Sequence, residues 1–207
     1  APAVYTRLYA LTGNKKYMMF ADSEFKATHK YLYDKDEHLF YRDSRYFGQK
    51  EANGEKVFWG RGNGWVIGGL VEILKTLPEN DKEYRPYYFE LYNELSTRLA
   101  ELQTKAGFWH ASLLDPDSYT APETSATGCI VYGLEHGINQ GYLYKEKFLP
   151  VVLKGWEALV SAVEKDGKLG WVQPVGADPK KVTQDMTELY GTGAFLMAAC
   201  EIYQLAE

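Results

Sequence analysis

The chain has 207 residues, 45% of them hydrophobic and 25% charged, with a formal net charge of −5. That balance excludes wholesale disorder, and its acidic sign argues against a protein that tracks nucleic-acid phosphates. The longest apolar run, Ala194 to Cys200, falls far short of the about 20 residues a membrane helix needs.

In chain order, residues 2–12 read as a short first helix stopped by Gly13. No initiator Met or signal-type segment precedes Ala1, so the chain reads as processed or cut from something longer. Apolar residues at helical spacing then run from Tyr17 to Leu32, from Tyr84 to Leu102 and from Leu149 to Val163. Each stripe has a polar opposite face, as on the outside of a helical array. Between them lie Gly64–Leu77, Glu123–Gly137 and Met186–Leu205, apolar nearly all round and rich in Gly and Ala. These read as inner helices that approach one another closely. Cys129 and Cys200 lie in such apolar patterns and read as buried small hydrophobes.

The outer stripes end in comparable loops: KDEHLFYRD (35–43), TKAGFWHAS (104–112) and KDGKLGWVQ (165–173). Tyr41, Trp109 and Trp171 thereby mark a period of roughly 62–68 residues. One unit is an inner helix, a turn, an outer helix and an aromatic loop. Repeated antiparallel helix pairs build either an open solenoid or a closed α/α toroid. Common solenoid periods are shorter, and loops of this kind suit the rim of a toroid.

The most unusual segment is VFWGRGNGW (57–65), read as a Gly-rich loop that enters the inner helix at Gly64. Arg61 offers a planar fork for a carboxylate, and Trp59 and Trp65 offer faces for a sugar ring. The GxxxxGK[ST] arrangement of a phosphate loop is absent. No dinucleotide fingerprint, calcium loop or His/Cys cluster occurs, so no cofactor or metal is expected.

This segment, with LYALTGNKKY (8–17), YLYDKDEHLFYRDSRYF (31–47), GFWHASLLDPDSY (107–119), PETSATG (122–128) and ELYGTGAFLMAACEIY (188–203), resembles a known family. The chain is similar over essentially its whole length to the unsaturated rhamnogalacturonyl hydrolases of glycoside hydrolase family 105. More distantly it resembles the unsaturated glucuronyl hydrolases of family 88. The resemblance implies an all-α fold, the antiparallel helix pairs of an (α/α)6 barrel. At this period residues 1–207 make about half of it, the C-terminal part of one domain. Such a half would expose apolar helix faces near Ala1 and Glu207 and would associate with an N-terminal half or with itself.

The resemblance also implies a substrate, an oligosaccharide with a 4,5-unsaturated uronic acid at its non-reducing end. One Asp of the family protonates C4 of the vinyl ether and activates water for C5, after which the hemiketal opens and expels the sugar. That Asp sits in a W-x-D segment that would fall just upstream of Ala1, and no W-x-D occurs in residues 1–207. The chain by itself is therefore expected to be inactive. Asp43 is the best acidic candidate on the loop rim.

For binding, Trp59, Arg61, Asn63 and Trp65 match the family's substrate-contact segment. Arg61 is expected on the uronate carboxylate, with Trp59 or Trp65 under the ring. Arg42 stands where related members carry a histidine and either meets the carboxylate or pairs with Asp43. Trp109 and His110 are expected at the same rim, with His110 toward a sugar hydroxyl, and Trp171 and Gln173 follow by the repeat. Thr124 or Ser125 is the expected N-cap of the inner helix that Glu123 opens. His29, His38 and His136 read as surface or helix-end residues. Neither nucleic acid nor membrane is an expected partner. The family points to soluble action, cytoplasmic or periplasmic. The competing readings are a non-catalytic carbohydrate-binding module and a helical scaffold for protein partners.

Overall fold

The periodic segments fold as helices throughout the computed structural model, which describes residues 2–176 and 182–205. In order they are α1 (Pro2–Thr12), α2 (Lys15–Leu32), α3 (Gly60–Thr76), α4 (Arg85–Glu101), α5 (Thr124–Asn139), α6 (Lys145–Ser161) and α7 (Leu189–Leu205). A small hairpin, β1 (Tyr33–Asp34) with β2 (Leu39–Phe40), pairs Tyr33 with Phe40 and Asp34 with Leu39. Helices α1, α3, α5 and α7 stand side by side as an inner row, and α2, α4 and α6 pack outside α1, α3 and α5.

Small residues set the spacing of the inner row. A Cβ on Gly133 would lie 2.7 Å from Ile67 Cγ1, and one on Gly128 would lie 3.0 Å from Ala194 Cβ. Gly64 faces Ala126 and Cys129 in the same way. These contacts, with Glu201 bonded to both His136 and Asn139, show that α3, α5 and α7 run parallel. Their N-termini therefore share one end of the row. The core fills the space between the two rows with Ile67, Leu70, Tyr88, Leu95, Ile130 and Val152.

Three expectations change. Helix α3 starts at Gly60, not Gly64, because strand-like bonds run up to that residue: Gly60 N–H donates to Ala111 O at 2.9 Å, and Leu113 N–H to Phe58 O at 2.9 Å. Only glycine fits there, since a Cβ would come within 2.3 Å of His110 O. Helix α7 starts at Leu189, because Met186 O instead accepts from Val172 N–H at 3.0 Å. Cys200 is exposed, while Cys129 is buried. Helix α7 packs mainly on α5 and keeps its other face open, although its sequence is apolar nearly all round.

Candidate functional site

Three parallel helices present their N-terminal ends, and with them the positive ends of their dipoles, to one rim. An anion is favoured there. The rim holds a pocket of about 300 Å³ lined by Arg42, Trp59, Arg61, Gly62, Trp65, Val175, Gly176 and Tyr190. A larger groove of about 570 Å³ opens between α1, α2 and α3, but its lining is chiefly apolar and its one charged residue is Glu24. Chemistry rather than size therefore selects the rim pocket for an acidic sugar.

Arg61, in the first turn of α3, is only 6% exposed. Its Nη1 donates to Gln173 O at 2.5 Å, Pro174 O at 3.3 Å and Tyr190 Oη at 3.0 Å, and its Nη2 to Pro174 O at 3.2 Å. The guanidinium lies 4.7 Å from the Trp59 ring centroid and 5.3 Å from that of Tyr190. Arg42 approaches the same Trp59 ring at 5.7 Å. Trp59 itself is buried and donates from Nε1 to Gln173 Oε1 at 3.0 Å. Trp65, one helical turn beyond Arg61 and on the same face, is 47% exposed and is the open aromatic surface of the pocket.

Other candidates fall elsewhere. Asn63 is fully buried and spends its amide on backbone: Oδ1 accepts from Phe40 N–H at 2.8 Å, and Nδ2 donates to Phe40 O and Trp59 O at 3.1 Å. It clamps the β2 strand to α3 and does not line the pocket. Trp109 is also fully buried, with Nε1 bonded to Leu99 O at 2.7 Å. It belongs to the core because the Phe108–Trp109 segment passes beneath α5, where Trp109 N–H donates to Thr127 Oγ1 at 3.1 Å. His110 turns to Pro116 O at 3.1 Å and is not part of the pocket lining.

Asp43 caps a short 3-10 turn through Arg45 N–H at 3.0 Å and pairs with both Arg45 and Arg42. Arg45, joined by Arg42, holds its carboxyl well below the usual carboxylate range. A carboxylate so paired is a poor proton donor near neutral pH. The N-cap of α5 is Glu123, not Thr124 or Ser125: its side chain accepts from the Ser125 and Ala126 N–H groups. Thr124 Oγ1 donates instead to Gly170 O at 2.9 Å, and Ser125 Oγ to Glu123 at 2.6 Å. His136 is a helix-end residue, in the last turn of α5, but it is buried against Glu201 at 3.0 Å and does not reach the surface. His29 is half-buried against Tyr87, whereas His38 stays near the surface in the hairpin turn.

Tyr190, in the first turn of α7, escaped the sequence reading as a site residue. It bonds to Gln173 O as well as to Arg61. Its only sequence signal was a place inside ELYGTGAF. Trp171 is partly buried and does not line the pocket, and Gln173 acts as the hub that binds Trp59, Arg61 and Tyr190 together.

A sequence profile of the family described as Glycosyl Hydrolase Family 88 matches residues 1–206. The chain is 45% identical over 202 residues to an unsaturated 3S-rhamnoglycuronyl hydrolase of Alteromonas sp. (strain LOR), covering 98% of this chain and 49% of that protein. A glycosyl hydrolase family 88 structure from Bacteroides vulgatus superimposes with a TM-score of 0.92 at 37% identity, covering 98% of this chain and 60% of that one. A structure described as a polysaccharide lyase superimposes with a TM-score of 0.94 at 40% identity, covering 100% of this chain and 60% of that one. The chain thus spans about half the length of the curated relative and somewhat more of the solved structures. The inner and outer rows are those of an α/α toroid, of which the chain covers about half.

Proposed function

The chain belongs to glycosyl hydrolase family 88, and from that membership we propose that its rim pocket is the sugar site of an unsaturated uronyl hydrolase. The observation that carries this reading is the Arg61 guanidinium held between two aromatic rings, with the open face of Trp65 one helical turn away. In this proposal the uronate carboxylate meets Arg61 and Arg42 at the positive helix ends. The ring lies on Trp65, because Trp59 already has both guanidinium groups against it. The name of the Alteromonas relative places rhamnoglycuronyl oligosaccharides first among substrate classes to test.

The proposed reaction adds water across the C4–C5 double bond, with the proton going to C4 and the hydroxyl to C5. The hemiketal then opens and releases the next sugar. No carboxylate lines the pocket among the described residues, and in this proposal the acid/base aspartate is that of the W-x-D segment of the family, a motif that residues 1–207 do not contain. The chain's own residues bind and orient the uronate.

Tryptophan fluorescence titrated with an unsaturated uronyl disaccharide and with a neutral analogue tests the binding half. Arg61→Ala is expected to weaken the acidic ligand by roughly 10–100-fold, the value of a charge-assisted hydrogen bond, and the neutral one far less. Equal weakening of both sinks the carboxylate role. For the chemistry, the parent enzyme is expected to consume the ultraviolet absorbance of the conjugated double bond. The structural likeness to a protein described as a lyase makes the opposite sign worth measuring, because a lyase generates that absorbance. Binding with no absorbance change in either direction supports the non-catalytic carbohydrate-binding reading.

A further inference from the structure

Glu123 is longer than capping requires. Ser, Thr, Asp and Asn are the usual N-caps because a short side chain reaches the N2 and N3 amides. Glu123 meets these donors too, accepting from Ser125 N–H at 3.2 Å and Ala126 N–H at 2.7 Å. Its extra methylene carries Oε1 further, to the backbone N–H of Gln173 at 3.3 Å, fifty residues along the chain. Glu123 is fully buried, and none of the hydrogen-bond partners of its carboxyl lines the pocket. Burial pushes it up, while its donors and the nearby Arg61 pull it down.

The segment that Glu123 grips is under strain. Trp171 has φ of 58°, a left-handed conformation that a bulky residue adopts only when its surroundings impose it. The N-terminus of α5 imposes it at three points: Thr124 Oγ1 on Gly170 O at 2.9 Å, Thr124 N–H on Trp171 O at 3.1 Å, and Glu123 on Gln173 N–H. Gln173 then presents its side-chain oxygen to Trp59 and its carbonyl to Arg61 and Tyr190. Trp59, Arg61 and Tyr190 of the rim pocket thus all bond to the residue that Glu123 holds.

We propose that Glu123 is a positioning residue: through Gln173 it sets the places of Trp59 and Arg61. Its consequence for sugar affinity rests on the uronate reading of the pocket, whereas its consequence for Trp59 does not. Two variants separate capping from positioning. Glu123→Asp keeps a good cap and withdraws the carboxylate from Gln173. Glu123→Gln keeps the reach to Gln173 and weakens the cap, because its amide group faces an N–H donor.

Hydrogen exchange of the indole N–H groups, followed by NMR in the full chain, reads the difference. Trp109, bonded to Leu99 O in the core, is the internal control. In Glu123→Asp the Trp59 indole is expected to exchange about tenfold faster or more while Trp109 is unchanged. In Glu123→Gln the Trp59 indole stays protected although the melting temperature falls. Uronate affinity drops about tenfold in the Asp variant and less in the Gln variant. Trp59 and Trp109 exchange that move together, following stability in both variants, overturns the proposal, because that is the signature of a cap alone. A wild-type chain that binds no uronate sinks the reading of the pocket, and the Trp59 result still decides the role of Glu123.

Discussion

Two fully buried carboxylates, Glu123 and Glu135, sit on the same helix in opposite circumstances. Glu123 collects donors from Ser125, Ala126 and Gln173, whereas neither oxygen of Glu135 has a partner among the described residues. Burial, assisted by the charge of Glu201 on α7 and opposed by Lys145 on α6, raises the Glu135 carboxyl from an ordinary 4.5 to about 7. A carboxyl raised in the folded state binds its proton more tightly there than in the unfolded chain. Its contribution is therefore complete below about 4.5 and is lost as pH rises toward 7. The loss amounts to roughly 3 kcal/mol. Urea unfolding should then find Glu135→Gln close to the wild type in mild acid and roughly 2–3 kcal/mol more stable at alkaline pH. An equal difference at both pH values would refute a protonated Glu135. The rim residues show what a sequence can and cannot convey at this scale. Arg61, Asn63 and Trp65 look equivalent in a glycine-rich loop. Once α3 begins at Gly60, Arg61 and Trp65 are four apart and share a face, while Asn63 is turned toward the hairpin. Reading the glycines as a loop concealed that phase.

At the scale of elements, the inner row depends on residues without bulk. Gly128 lies against Ala194 of α7, and Gly133 against Ile67 of α3, so α5 is in close contact on both sides. Gly in a helix interior costs about 1 kcal/mol in propensity relative to Ala, which close packing here offsets. Gly128→Val is therefore expected to lower stability by roughly 1–3 kcal/mol through overpacking, read as a lower denaturation midpoint with an unchanged slope. A variant as stable as the wild type would mean that α7 rides loosely on α5. The helices themselves were legible because amphipathic spacing is local, and the outer ones begin and end within a few residues of the expected bounds. The starts of α3 and α7 were not legible. They are set by bonds from Gly60 to Ala111 and from Val172 to Met186, made across loops that no local pattern announces.

For the whole molecule, the outermost members of the inner row keep large apolar side chains in solvent. Leu11 on α1 is 83% exposed and Leu189 on α7 is 91% exposed, with Val4, Leu196 and Tyr203 also open. Apolar surface of this kind binds hydrophobic dyes in the native state. Anilinonaphthalene sulfonate fluorescence should rise on adding the folded chain and fall substantially in a Leu189→Lys, Leu196→Lys variant of unchanged helicity. A dye signal that ignores those substitutions would place the sticky surface elsewhere. No described helix is long and apolar enough to cross a membrane. The sequence by itself determined the all-α class, the alternation of inner and outer helices, the family and the cluster around Arg61. Each rests on neighbours within a few turns of chain or on a contiguous motif. Only the tertiary structure decided which polar groups are already engaged: Asn63 on Phe40, Trp109 on Leu99, and Arg61 on Tyr190, 129 residues away. The physical reason is that a buried polar group must be satisfied by whatever the fold brings within hydrogen-bond reach, and that partner is not written beside it.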